Sequence, residues 1–168
     1  FFCEPHVPLD YAFFEGVSGL TTTGSTIFVD LENLPKSILM WRSLTQWVGA
    51  MGILAMFVVL LSGMTSSSKT LIGAESSLSN TDLASLQQTM RRIWLLYLGF
   101  TIICGLGLWG MGLTPFQAVN HGLTAVATGG FGTENTSLAG EPFGTASKIW
   151  IMVFMILGAI SFPFYLTM

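Results

Sequence analysis

Two short stretches have the residue types to handle an ion: Thr21-Thr22-Thr23-Gly24-Ser25-Thr26 and Ala127-Thr128-Gly129-Gly130-Phe131-Gly132-Thr133. Both are uncharged and rich in hydroxyls and glycine. Neither holds a carboxylate, a histidine or a cysteine, whereas a side-chain site for a divalent or transition metal needs several. What remains is the backbone. Carbonyl oxygens can replace the water shell of a weakly hydrated monovalent cation, and rings of them form potassium-channel filters. Turning successive carbonyls toward one axis requires backbone angles that a side chain resists and glycine accepts. The expected chemistry is therefore carbonyl coordination of a monovalent cation. The expected filter residues are Thr22, Thr23, Gly24 and Ser25 in the first stretch and Ala127, Thr128, Gly129 and Gly130 in the second. The coordinating carbonyls are expected from Thr22, Thr23, Gly24, Ala127, Thr128 and Gly129.

Such loops need elements that hold them inside a membrane, where non-helical backbone is tolerated only when protein or water surrounds it. Asp10 reads as an N-cap for a short apolar run to Leu20. That run is roughly 15 Å of helix, half of a hydrocarbon core of about 30 Å, so it can re-enter but not span. It forms the expected pore helix at 10–20, followed by the filter at 21–26. Pro35 then opens a long apolar segment, the expected inner helix at 36–61. Residues 62–88 are polar and serine-rich and read as a connector. The second unit has an expected outer helix at 91–113 and a start signal at Thr114-Pro115. Its pore helix is expected at 115–127, its filter at 128–133 and its inner helix at 146–168. Thr23-Gly24 matches Thr128-Gly129 at an offset of 105 residues, which places Asp10 on Pro115 and Tyr11 on Phe116. An internal repeat of this kind is an architectural signal. It divides the chain into units at 1–61 and 89–168. Phe1 to Val7 read as the end of a preceding helix. The chain starts without methionine and stops inside an apolar run, so it is read as an internal part of a longer protein.

Composition supports this fold class, an all-α integral membrane protein built from repeated helix, re-entrant pore loop and helix units. The 168 residues are 51% hydrophobic and 9% charged, with a mean hydropathy of +0.67. A soluble domain carries about 25% charged residues. The net charge of -3 and the lack of a basic cluster speak against nucleic acid. Cys3 and Cys104 form no metal-binding spacing. Lys69, Arg91 and Arg92 place the 62–88 connector on the cytoplasmic side. The loop side carries Glu4, Asp10, Glu15, Asp30, Glu32, Glu134 and Glu141 against Lys36 and Lys148, and a net acidic external mouth favours cations. Chemistry on a substrate is not expected: the spans hold no Gly-x-Ser-x-Gly, no HExxH and no paired aspartates. Gly129-Gly130-Phe131-Gly132 lacks the Gly-Lys-Ser/Thr of a phosphate loop. No cofactor is expected, only potassium as the transported substrate. Arg42 is a costly charge inside a spanning helix and is expected to support the filter by bonding to Glu15 or to loop carbonyls. His121, beside Asn120, is expected to be structural, and His6 to be exposed.

The segment Phe14-Glu15-Gly16-Val17-Ser18-Gly19-Leu20-Thr21-Thr22-Thr23-Gly24 resembles the first pore loop of the Trk/Ktr/HKT family of potassium transporters. Pro35-Lys36-Ser37 with Trp41-Arg42-Ser43-Leu44-Thr45-Gln46-Trp47-Val48-Gly49 resembles that family's first inner helix, and Ala127-Thr128-Gly129-Gly130-Phe131 its second pore loop. The resemblance implies four such repeats around one pore, with this chain supplying the first two, and a filter glycine in each loop, Gly24 and Gly129. Relatives that favour sodium often have serine in the first loop, so Gly24 implies potassium. The resemblance also implies a dimer and a cytoplasmic nucleotide-binding regulatory subunit as partners, besides the remaining repeats. A sodium-permeable or weakly selective transporter, or a non-conducting scaffold on the same fold, is the alternative.

Overall fold

A computed structural model of the chain describes residues 8–70, 80–140 and 142–160. Among them are five helices and no strand: α1 (Leu9–Leu20), α2 (Lys36–Thr70), α3 (Asn80–Gly110), α4 (Pro115–Val126) and α5 (Thr145–Ala159). The expected preceding helix at 1–7, with Cys3 and His6, lies outside the described residues, as does the end of the expected inner helix at 161–168.

The starts of the two short helices differ. At α4 the Thr114 hydroxyl accepts from the Gln117 N–H (3.4 Å), and the Gln117 amide oxygen accepts from the Thr114 N–H (3.2 Å). This capping box satisfies two of the N–H groups a helix start leaves orphaned, and Pro115 needs no donor there. Replacing Thr114 by alanine is expected to cost about 1 kcal/mol, seen as a lowered thermal midpoint that Thr114→Ser restores; an unchanged midpoint in Thr114→Ala would contradict the cap. The helix α1 begins instead behind Pro8, whose carbonyl accepts from Tyr11 and Ala12 (3.1 Å each), and no side chain caps it. Asp10, expected as the N-cap, lies inside the first turn. The fixed φ of Pro8 leads the chain into the helix earlier, and the Asp10 charge still suits the positive end of the helix dipole.

The long helices overrun their expected ends. α2 continues to Thr70, past the expected end at 61, and α3 starts at Asn80 rather than at 91, so much of the expected connector is helical. Proline is absent from both extensions, and the serines and threonines there each weaken a helix by less than ~0.7 kcal/mol. Within α3, Gln87–Gly110 has 24 residues and a mean hydropathy of 1.8. At about 36 Å it is long enough to cross a bilayer, and it alone meets both criteria among the described residues. α5 is apolar but has 15 described residues.

α4 sits at the centre, packed on α2, α3 and α5, while α1 packs on α2. The core joins Met51 of α2, Tyr97, Cys104 and Leu108 of α3, Ala125 of α4 and Phe154 of α5. The opposite faces stay apolar and exposed: Trp94, Leu98, Ile102 and Leu106 on α3, Met152 and Ile156 on α5. Apolar stripes of this kind are rare on water-soluble monomers and suit a lipid or protein neighbour. Small residues set the closest approaches. A Cβ at Gly49 of α2 would collide with the Leu20 carbonyl at the end of α1, and one at Gly158 of α5 with the Val126 carbonyl at the end of α4. Each short helix thus ends against the backbone of the long helix that follows it.

Candidate ion-binding loops

α1 and α4 have 12 residues each, and 106 positions separate both their first residues, Leu9 and Pro115, and their last, Leu20 and Val126. Their ends match bond for bond. The N–H groups of Thr22 and Thr23 donate to Gly19 and Ser18 (3.0 Å each), and those of Thr128 and Gly129 donate to Ala125 (3.1 Å) and Thr124 (2.9 Å). This is the Schellman pattern, which requires a left-handed residue at its turn, most often glycine. Threonine fills that position in both loops: Thr22 has φ 54° and Thr128 φ 52°. A β-branched residue is an outlier in that region, at a cost of about 1–3 kcal/mol per site. Two residues on, Gly24 has φ 78° and Gly130 φ 81°.

The structural register of the repeat is therefore 106, not 105. Leu9, not Asp10, is the counterpart of Pro115, and Gly130, not Gly129, that of Gly24. Matching the Thr-Gly letter pair misplaced the register because the second loop carries an additional glycine, Gly129, where the first has Thr23.

The loops touch. A Cβ at Gly24 would collide with the Gly129 carbonyl oxygen. That oxygen also accepts from the Gln46 amide of α2 (2.7 Å), whose own oxygen accepts from the Phe131 N–H (3.3 Å). The Ser25 carbonyl accepts from the Ser18 hydroxyl (2.6 Å), and the Thr22 hydroxyl donates to the Thr21 carbonyl (2.7 Å). Ala127 and Gly129 are buried, while Thr23, Ser25, Thr128 and Gly130 are exposed.

Each short helix also grips the chain that leaves its loop. Glu15 accepts from the Thr26 hydroxyl (2.8 Å) and the Ile27 N–H (3.3 Å). The residue 106 positions on is His121, whose Nε2 lies 3.2 Å from the Thr133 hydroxyl, with its ring edge-on to Phe143. Glu15 is paired with Arg42, Nε to Oε1 at 2.7 Å, and the side chains are 1% (Arg42) and 0% (Glu15) exposed. No loop carbonyl takes the guanidinium. Its central carbon sits 4.1 Å from the centre of the Phe131 ring and 5.8 Å from that of Phe28. Nη1 and Nη2 are buried with no hydrogen-bond partner among the described residues. Arg42 therefore ties α1 to α2 by charge and α2 to the second loop by ring contact. Further from the loops, the Ser43 hydroxyl donates to Asn120 (2.7 Å), and the Leu31 N–H donates to Asn135 (2.7 Å), joining the two linkers.

Gln46 is the residue that sequence reasoning passed over. It occurs in the inner-helix segment, but no role follows from its neighbours. The usable signal was an amide one helical turn after Arg42, on the same face of an apolar helix.

Outward apolar faces, with two half-length helices ending in matched loops, fit an α-helical membrane protein. The TrkH family model, described as cation transport protein, matches residues 1–168, and the chain belongs to that family. It is 35% identical over 165 residues to the Trk system potassium uptake protein TrkH of Vibrio parahaemolyticus, covering 96% of this chain and 34% of that protein. To the protein of the same name in Escherichia coli it is 33% identical over 168 residues, covering 98% and 35%. The crystal structure of the potassium transporter TrkH from Vibrio parahaemolyticus superposes with a TM-score of 0.73 at 34% identity, over 91% of this chain and 30% of that one. The chain thus spans about a third of the length of these relatives.

Proposed function

We propose that residues 21–26 and 128–133 line two quadrants of a pore that carries potassium across the cell membrane. The observation that carries this reading is the matched backbone: Thr22 and Gly24 are left-handed in the first loop, Thr128 and Gly130 in the second, and Gly24 lies against Gly129 and Gly130. Carbonyls of an extended strand point alternately to opposite sides. A left-handed residue at every second position breaks that alternation and lets successive carbonyls face one axis, as a monovalent cation requires. Holding threonine there twice is strain, and strain of this kind collects at functional sites. Support also comes from the relatives, named as potassium uptake proteins.

In this reading the carbonyls of Thr22, Thr23, Gly24, Ala127, Thr128 and Gly129 face the ion, and the Gly129 oxygen uses its second lone pair to accept from the Gln46 amide. Glu15 and Arg42 are the structural support of the first loop. The units are 1–61 and 89–168, joined by 62–88, with the loops external and the connector cytoplasmic. Two quadrants leave half of the ion open, so two further repeats complete the ring. A homodimer and a cytoplasmic nucleotide-binding regulatory subunit are the partners the resemblance implies. The protein needs no cofactor and performs no reaction on its substrate.

Liposomes carrying the complete pore test the reading. Rubidium influx is expected to exceed sodium influx clearly and to be suppressed by external potassium. Equal rubidium and sodium influx would favour a weakly selective transporter, and the absence of any flux would contradict transport.

A further inference from the structure

We infer that Gln46 is a positioning residue for ion selectivity: the first unit's long helix holds the second unit's loop in its ion-binding shape through this one amide. The inference rests on the reading that the loops line an ion path. Gln46 is fully buried. Its two bonds, Nε2 to the Gly129 carbonyl and Oε1 from the Phe131 N–H, bracket Gly130, the left-handed residue between them. The Gly129 carbonyl and the Phe131 N–H thus pair with one amide, although left-handed Gly130 stands between them. Gln46 supplies both halves of that pairing from a helix and so fixes the Gly130 turn and the direction of the carbonyls before it. The fit is close, since a Cβ at Gly129 would collide with the Gln46 amide.

The two loops are held differently. Ser18 of the first unit's own short helix bonds the Ser25 carbonyl just past Gly24. In the second unit Thr124 occupies the place of Ser18, but its hydroxyl turns back to the His121 carbonyl (3.4 Å). The second loop thus takes its brace from α2. Counting from the paired contacts of Gly49 and Gly158, the residue of α5 that corresponds to Gln46 is Met155, which has no amide. The brace is a device of α2 alone among the described helices.

The test is the rubidium-to-sodium flux ratio of Gln46→Met in liposomes carrying the complete pore. Methionine keeps the unbranched shape and removes both bonds. A freed carbonyl and N–H beside the ion path are expected to lower the ratio roughly tenfold, the factor that corresponds to about 1.4 kcal/mol, with rubidium still conducted. Ser43→Ala, which breaks the neighbouring α2–α4 bond away from the loops, is expected to keep the wild-type ratio. A wild-type ratio in Gln46→Met, while Gly130→Ser lowers it, would overturn the role of Gln46 and leave the filter reading standing. A wild-type ratio in both would sink the filter reading itself. An equal fall in Ser43→Ala, or loss of folded protein from both Gln46→Met and the amide-retaining Gln46→Asn, would make Gln46 a residue of general packing and equally overturn the inference.

Discussion

Arg42→Gln is expected to lower the yield of folded protein sharply and to leave the ion preference of the surviving fraction near that of the wild type. Arg42 and Glu15 are both removed from solvent and meet at 2.7 Å. Removing one partner of such a pair strands the other charge, at a cost of about 3–5 kcal/mol, against a total stability of only about 5–15 kcal/mol. Glu15 would keep the Thr26 hydroxyl and the Ile27 N–H, so the first loop stays tethered wherever the fold survives. The pair contributes less than its geometry suggests, because Nη1 and Nη2 are buried without hydrogen bonds among the described residues. The double variant Glu15→Gln with Arg42→Gln removes both charges and should recover part of the lost thermal midpoint. The check is the midpoint in detergent for the single and double variants. A normal midpoint with inverted ion preference in Arg42→Gln would place the guanidinium in the ion path and refute its structural role.

Gly24→Ser is expected to abolish most potassium flux, whereas Gly130→Ser should fold and conduct with reduced selectivity. Both positions have positive φ, so any side chain costs about 1–3 kcal/mol. They differ in space. A Cβ at Gly24 runs into the Gly129 carbonyl, and both loops must move to admit it; a Cβ at Gly130 meets no atom within 4 Å. Gly129→Ser should resemble neither, because its Cβ strikes the Gln46 amide and disturbs the second loop's brace. Rubidium and sodium influx through the three variants rank them. Equal, mild effects at Gly24 and Gly130 would mean that the loops do not touch as described.

Much of the architecture was legible in the sequence because its signals are local. The Thr114-Pro115-Phe116-Gln117 start carries its cap within four residues, and the short helices follow from the lengths of their apolar runs. Ends set by weak, graded preferences were not legible: nothing sharp marks residue 61 as a helix end, and α2 runs on to Thr70. The repeat was visible, but its register was not, because identical letters at Thr23-Gly24 and Thr128-Gly129 outweighed the backbone angles that pair Gly24 with Gly130. The Glu15–Arg42 bond could be anticipated, since a charge inside a spanning helix needs a partner. The Gln46 contact could not: its place on the Arg42 face marks the side of the helix, but its partner Gly129 lies 83 residues away in the chain. The family resemblance supplied the general setting, and the structure supplied the bonds that hold the Ser25 and Gly129 carbonyls.

Rubidium located by anomalous scattering in crystals of the complete pore decides whether the two loops present their carbonyls to a monovalent cation. A peak is expected between the loops, within coordination distance of the carbonyls of Thr22 or Thr23 on one side and Ala127 or Thr128 on the other, and displaced by potassium. Rubidium found only beside acidic side chains such as Glu32 and Glu134, with none between the loops, would contradict it.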